Sequence, residues 1–342
     1  MGNFITKPEI NDEKPGISYI GRFDFSGPDG VVFGWSCSTI IARFNGTEVS
    51  AKFQSFGPNY FTIILDGKII MNSLDVSKGG VYVLATNLSN GIHEIKMVKR
   101  NEFNIGYVKF LGFDFDDGQL SWAPKHYERR IEVIGDSITC GFGNEGVDES
   151  TQYVPSLDNG YLSYGAITGR SLEAETMVIG CSGFGVMQSY DGNISQTVPS
   201  RYSMVVPERD IKWDFTSWIP QVVVINLGTN DFSFGSIPDI DKFNEAYIKF
   251  IEEIHSNYRN SKIICTVGPL MDGEALKVIK KCINNVILGH FYNKELDFVS
   301  FLEFEPQNKE QNGCGVSGHP SIKTHEIMAK TLENKIRKMM NW

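Results

Sequence analysis

The sequence is poor in the features that mark several large classes of protein. Six cysteines (Cys37, Cys140, Cys181, Cys265, Cys282 and Cys314) are scattered over 342 residues, and no two stand as Cys-x-x-Cys. That spacing excludes a typical structural zinc site, and free thiols in a reducing compartment are expected. No run of 18 apolar residues occurs, so no transmembrane helix is expected. The opening stretch, MGNFITKPEINDEKPG, lacks the apolar core and small-residue cleavage site of a secretory signal. A cytoplasmic protein is expected, or a secreted one if its N-terminus has been trimmed. Positive charge is also short, with 32 Lys and Arg against 41 Asp and Glu for a net charge of −9, which argues against a nucleic-acid binder. The imbalance lies in one part of the chain, with 12 basic against 13 acidic residues up to Lys125 and 20 against 28 after it. A polyanionic substrate is therefore not expected in the second part. There is no H-E-x-x-H and no Cys/His cluster, so no metal and no other cofactor is expected.

Apolar residues, by contrast, are plentiful. A hydrophobic fraction of 41%, 34 glycines and a charged fraction of 21% describe a chain with a packed core. At roughly 150 residues per domain, the length suggests two domains. The first third carries short runs rich in β-branched and aromatic residues: Ile40–Phe44, Val49–Phe53, Tyr60–Leu65 and Val81–Ala85. Turn signals at Asn45-Gly46, Gly57-Pro58, Asp66-Gly67 and Gly79-Gly80 separate them. His93–Lys99 alternates apolar and polar, and Gly106–Phe115 is apolar and aromatic. With no amphipathic helix among them, these strands predict an all-β sandwich of jelly-roll type over residues 1–125, closed by a linker at Trp122–Pro124.

From Tyr127 strands and helices alternate. Ile131–Ile134, Thr176–Ile179, Val222–Leu227, Lys262–Val267 and Phe298–Phe301 read as strands. Tyr161–Glu173 reads as a helix. Phe243, Tyr247, Phe250, Ile251, Ile254 and Tyr258 recur at helical spacing, and Ile327, Met328, Leu332 and Ile336 are expected on one face of a last helix. Residues 126–342 are therefore expected to form an α/β domain on a mostly parallel sheet, with Val222–Leu227 at its centre.

Four short blocks of this second domain stand out. Gly135-Asp136-Ser137-Ile138 follows the first strand, Ser182-Gly183-Phe184-Gly185 the second, and Gly228-Thr229-Asn230-Asp231 the third, while Gly318-His319-Pro320-Ser321 precedes the last helix. Ligands of open α/β sheets bind beyond the carboxyl ends of the strands, so the first three blocks are expected to converge on one crevice that the histidine can join.

The ordered set Gly-Asp-Ser, Gly, Asn and His resembles the SGNH (GDSL-type) esterase superfamily. The resemblance extends to carbohydrate esterase family 2 through Phe23-Asp-Phe-Ser-Gly-Pro-Asp-Gly30, Asn59-Tyr-Phe, Asp66-Gly67, Lys212-Trp-Asp-Phe215 and Val222–Phe232. It covers nearly the whole chain, and it implies an acetylxylan esterase-like hydrolase acting on acetylated xylo- or manno-configured oligosaccharides or polysaccharides. It further implies Ser137 as nucleophile and His319 as general base, with an oxyanion hole made of the Ser137 N–H, the Gly183 N–H and the Asn230 amide. Those residue types suit those roles. A serine hydroxyl needs an adjacent base, imidazole is neutral near pH 7, and an amide donates to an oxyanion without adding charge.

The sequence departs from the superfamily pattern at the histidine, where Asn312-Gly-Cys-Gly-Val-Ser-Gly-His319 offers no carboxylate in place of the usual Asp-x-x-His. A backbone carbonyl of this glycine-rich stretch is expected to orient His319, with Glu303 or Glu305 as the alternative. Asp136 is expected to be structural, bonding loop amides, and His325 to face solvent or cap a helix. His93, His126, His255 and His290 have no motif around them. Phe142, Phe184, Phe232 and Trp213 are as well explained by packing as by a sugar site. The sandwich is either a carbohydrate-binding module or a wall of the esterase cleft, and the resemblance favours the wall. The competing functions are a general short-chain or lipid-acting GDSL esterase and a catalytically silent sugar binder. No nucleic-acid or membrane partner is expected, and a homo-oligomer is compatible with the sequence.

Overall fold

The computed structural model describes residues 16–122, 124, 126–207, 209–233, 236–292, 294 and 297–342. The N-terminal stretch and the linker positions Ala123 and Lys125 lie outside them. The described residues divide into two compact units, one running to Tyr127 and including Met204–Ile211, the other made of the rest.

The first unit is all β. Its strands are β1 (Ile17–Ile20), β2 (Val31–Phe33), β3 (Thr39–Asn45), β4 (Val49–Phe56), β5 (Tyr60–Leu65), β6 (Lys68–Asp75), β7 (Gly80–Ala85), β8 (Ile92–Lys99), β9 (Tyr107–Asp114) and β10 (Gln119–Leu120). One antiparallel sheet runs β1-β3-β8-β5-β6 with β10 beside β3, and the other runs β2-β9-β4-β7. Alternate residues point inward, as the two-residue period of a strand requires. Ile40, Ala42 and Phe44 from β3, Ile95 and Met97 from β8, and Val49, Ala51 and Phe53 from β4 meet in one core shared by both sheets. That core makes the unit a sandwich. In β9 the register slips between Lys52 and Phe53 of its partner β4, so Phe110 and Phe113, three apart, both face inward.

Asp66-Gly67 joins β5 to β6 with both residues at positive φ, as a two-residue hairpin demands. Asn45-Gly46 separates strands that lie in different sheets, so it is a crossing and not a hairpin. The excursion Met204–Ile211 has no signature in composition. It is held by main-chain chemistry, since Arg22 Nη1 and Trp35 Nε1 donate to the Met204 carbonyl at 3.1 and 3.4 Å, and by an ion pair from Arg209 to Asp24 at 3.5 Å.

The second unit is α/β. Its elements are β11 (Arg129–Gly135), α1 (Ser137–Cys140), α2 (Tyr164–Ser171), β12 (Ala174–Gly180), α3 (Val198–Tyr202), β13 (Val222–Asn226), α4 (Ile240–Asn257), β14 (Lys262–Val267), α5 (Gly273–Lys281), α6 (Leu288–Tyr292), β15 (Val299–Glu303), α7 (Lys309–Asn312) and α8 (Ile322–Met340). The sheet order is β12-β11-β13-β14-β15, and every pairing is parallel. β13 is central and wholly buried. Strand order therefore reverses between β11 and β13, the place where open α/β sheets form a crevice. Ser137 follows β11 and Asn230 follows β13, so topology alone brings these two blocks to one mouth.

Two expectations about helices need correction. The helix expected from Tyr161 begins at Tyr164, because Ser163 is extended and Gly160–Leu162 forms a separate 3₁₀ turn capped by the Asn159 side chain. On α8, Ile327 is 41% exposed while Met328, Leu332 and Ile336 are buried; Ile327 lies about 100° round the helix from Met328.

His325 does not face solvent. It is buried, and its Nδ1 accepts the Tyr164 N–H at 3.2 Å. The Ser163 side chain makes no capping bond to α2, so a histidine from another helix satisfies a donor that the start of α2 leaves open. Burial pushes its pKa down to about 3. An unfolded histidine takes up a proton below about pH 6.5, whereas this one resists until about pH 3. Stability from this residue is complete above pH 6.5 and declines as pH falls, by up to about 1.4 kcal/mol per unit. His325→Asn keeps an acceptor for the Tyr164 N–H and removes the titration. Its melting temperature should fall less steeply than wild type between pH 6 and pH 4, and parallel curves would rule out His325 as a source of acid sensitivity.

Candidate functional site

Ser137 stands at the first position of α1, where the chain leaves β11. The turn is pinned by Asp136, whose Oδ1 accepts the Ile138 N–H at 3.0 Å. Asp136 is buried and structural, but its backbone bond caps α1 instead of serving a loop amide, and its Oδ2 accepts from the Asn230 side chain Nδ2 at 3.3 Å. Ser137 Oγ lies 2.9 Å from His319 Nε2, although 182 residues separate the two in sequence. His319 Nδ1 lies 3.1 Å from the carbonyl oxygen of Val316. A carbonyl can only accept, so Nδ1 carries the proton and Nε2 presents its lone pair to the serine hydroxyl.

The Val316 carbonyl is itself well fixed. It accepts the His319 N–H at 3.0 Å, while Val316 N–H donates to the Gly143 carbonyl at 3.0 Å and Gly315 N–H to the His319 carbonyl at 2.7 Å. The two loops approach so closely that a Cβ on Gly315 would sit 2.3 Å from the Gly143 oxygen, and one on Gly143 would sit 2.6 Å from Val316 Cβ. Both loops read Gly-x-Gly-x-x-Gly, at Gly141–Gly146 and Gly313–Gly318. That paired spacing is the signal by which Gly143 and Val316 could have been found in the sequence. Phe142 packs against the His319 ring with centroids 4.7 Å apart and stacks on Tyr153 at 4.7 Å. The two glutamates lie elsewhere in their bonding: Glu303 is ion-paired with Lys280 at 2.7 Å, and Glu305 is exposed.

Gly183 and Asn230 border the same cleft as Ser137 and His319, an open space of about 1480 Å³. Gly183 has φ +80, and among the described residues its N–H has no acceptor. The Ser137 N–H, at the start of a helix, has no intrahelical acceptor. Asn230 Nδ2 donates to Phe184 O at 3.0 Å as well as to Asp136, so both of its protons already have partners. Phe142 and Phe232 border the cleft, and Phe184 and Trp213 do not. His93 bonds Asp66 in the first unit; in the second, His255 stacks on Phe298 and His290 meets Glu252, and neither of these two lines the cleft. None of the six cysteines is in a disulfide, and among the described residues no group of three or more His, Cys, Asp or Glu is placed to hold a metal ion.

A model for the carbohydrate esterase 2 N-terminal domain matches residues 19–124, and one for the GDSL-like lipase/acylhydrolase family matches residues 133–289. A family two carbohydrate esterase from Clostridium thermocellum, solved in complex with cellohexaose, superposes with a TM-score of 0.92 at 41% identity, covering 96% of this chain and 100% of that one. The chain belongs to carbohydrate esterase family 2. It is also 41% identical over 332 residues to the cellulase/esterase CelE of Acetivibrio thermocellus, covering 97% of this chain but only 40% of that protein. An acetylxylan esterase / glucomannan deacetylase of Cellvibrio japonicus is 27% identical, over 89% of this chain and 85% of that protein.

In this family 2 chain the surroundings of the His319 ring favour its neutral form. Burial lowers its pKa below the usual 6.5, and the bond to the Val316 carbonyl opposes that shift without reversing it. An NMR titration of the His319 ring should give a midpoint below 6.5. Any activity that needs the neutral ring should then persist below that pH. A midpoint at 7 or above would mean that the ring is not desolvated as described.

Proposed function

We propose that this protein is a carbohydrate O-acetyl esterase working through a Ser–His dyad on acetylated xylo- or manno-configured sugars. The observation that carries this reading is the line from Val316 O through the imidazole to Ser137 Oγ. Ser137 Oγ attacks the acetyl carbonyl as its proton passes to His319 Nε2. The tetrahedral oxyanion takes hydrogen bonds from the N–H groups of Ser137 and Gly183 and from Asn230 Nδ2, whose longer bond, to Asp136, is the one displaced. Collapse returns the proton to the departing sugar hydroxyl and leaves acetyl-Ser137. Water then repeats the sequence and releases acetate.

A carboxylate would hold the imidazolium more strongly than a carbonyl does, but the carbonyl still selects the tautomer, which is the larger part of a third member's role. The charges along the cleft favour a neutral substrate. Asp272 and Glu310 are acidic, and Lys309 is tied to Glu149 at 2.7 Å. The named activities of the relatives, on acetylated xylan and glucomannan, agree with this class.

Ser137→Ala and His319→Ala should each leave less than about a hundredth of wild-type turnover on a chromogenic acetate, with unchanged circular dichroism. Release of acetate from acetylated xylo- and manno-oligosaccharides should exceed hydrolysis of an octanoyl ester, and the reverse order would favour a lipid-acting esterase. Glu303→Gln and Glu305→Gln should each lose about tenfold or less. A loss near 10⁴, the typical cost of removing the acid of a true triad, would replace the carbonyl by that glutamate.

A further inference from the structure

The loop after β12 and the loop after β13 are stitched together by one side chain that the mechanism above does not use. Asp231 follows Asn230 directly and is fully buried. Its Oδ2 accepts the Val186 N–H at 2.9 Å, and its Oδ1 accepts the N–H groups of Met187 and Gln188 at 2.8 and 3.1 Å. Three successive N–H groups thus form an anion-binding concavity filled by a carboxylate of the protein itself. Gln188 closes the link from the other side, its Nε2 donating to the Asp231 carbonyl at 3.2 Å. Gly185 admits the carboxylate, since a Cβ there would stand 2.1 Å from Asp231 Oδ2.

The stitched segment begins two residues after Gly183 and folds back onto it. Gly185 N–H donates to Gln188 O at 2.9 Å, and Tyr190 N–H donates to Gly183 O at 2.8 Å. Asn230 Nδ2 reaches Phe184 O at 3.0 Å within the same frame. Two donors from loops 47 residues apart thus share a single anchor.

We propose that Asp231 is the positioning residue of the oxyanion hole, its carboxylate fixing the Gly183 N–H relative to the Asn230 amide. The inference rests on the roles given to Gly183 and Asn230 above. It asks for accuracy in placement, where an error of about 1 Å costs about 10² in rate. Losing a donor outright costs about 10² to 10³. Asparagine has the shape of aspartate, but its single acceptor oxygen cannot serve all three N–H groups, and its NH₂ would confront one of them.

The test measures Asp231→Asn and the milder Gln188→Ala on a chromogenic acetate and against an alkylboronic acid, which forms a tetrahedral adduct on a nucleophilic serine. Asp231→Asn should lower kcat by about tenfold to a hundredfold with KM within twofold. Boronate affinity should fall by the same factor, and the acid-side inflection of kcat/KM should stay in place. Gln188→Ala should lower kcat by a few fold in the same pattern, and it decides the question if Asp231→Asn does not fold. Folded variants with kcat within twofold of wild type would overturn the proposal, as would a loss carried by KM or by a moved inflection. Full activity in Ser137→Ala would instead overturn the esterase mechanism itself, so the two failures are distinguishable.

Discussion

The arrangement of the second unit depends on one short contact, the 2.9 Å between Ser137 Oγ and His319 Nε2. Holding it demands that a strand-to-helix turn and a loop 182 residues later be placed to within a few tenths of an ångström. A triad would orient the imidazole with a carboxylate side chain. Here main chain does it, through the Val316 carbonyl, so the precision has to come from how tightly the backbone of one loop lies against that of another. Glycines at 143 and 315 make that approach sterically possible, because any Cβ there would enter atoms of the facing loop.

The same economy extends to charge. Carboxylates near the serine are not left to act on it. Asp136 is occupied by the Ile138 N–H and the Asn230 amide, and Asp231 by three N–H groups. Each holds a loop in place through the donors that meet its carboxyl oxygens. A neutral imidazole held by a carbonyl then sits in surroundings where burial disfavours its charged form. The ring is thus held neutral, with weaker support for an imidazolium than a carboxylate would give.

Beneath these loops the parallel sheet provides the fixed frame. β11 and β13 are neighbours in register, with Gly135 opposite Asn226, and the reversal of strand order between them opens the mouth into which Ser137 and Asn230 project. His325 adds to the frame from α8 by capping α2, a long-range bond between helices that surface loops do not see. Its neutral state is a requirement of that packing, because a protonated ring would lose the acceptor that Tyr164 uses.

Consecutive residues carry hydrophobic period and turn chemistry, and these were legible without a structure. The strands Tyr60–Leu65 and Lys262–Val267 stand where their apolar patterns end, Val222–Asn226 is the central strand, and the blocks holding Ser137, Gly183, Asn230 and His319 follow in order because each is a local motif at an element's end. What tertiary structure alone decided has no signature along the chain. A carbonyl is present on every residue, so although the paired Gly-x-Gly-x-x-Gly runs mark the two loops, the letters do not say which of their carbonyls meets His319. The Met204–Ile211 excursion is held through a main-chain oxygen, and the burial of His325 depends on a helix start 161 residues earlier. Asp231 reads as an ordinary loop aspartate until the turn at 186–188 closes on it. Local propensity acts between neighbours in sequence, whereas these contacts exist only after distant segments have been brought together and their backbones have taken up positions that side-chain types do not encode.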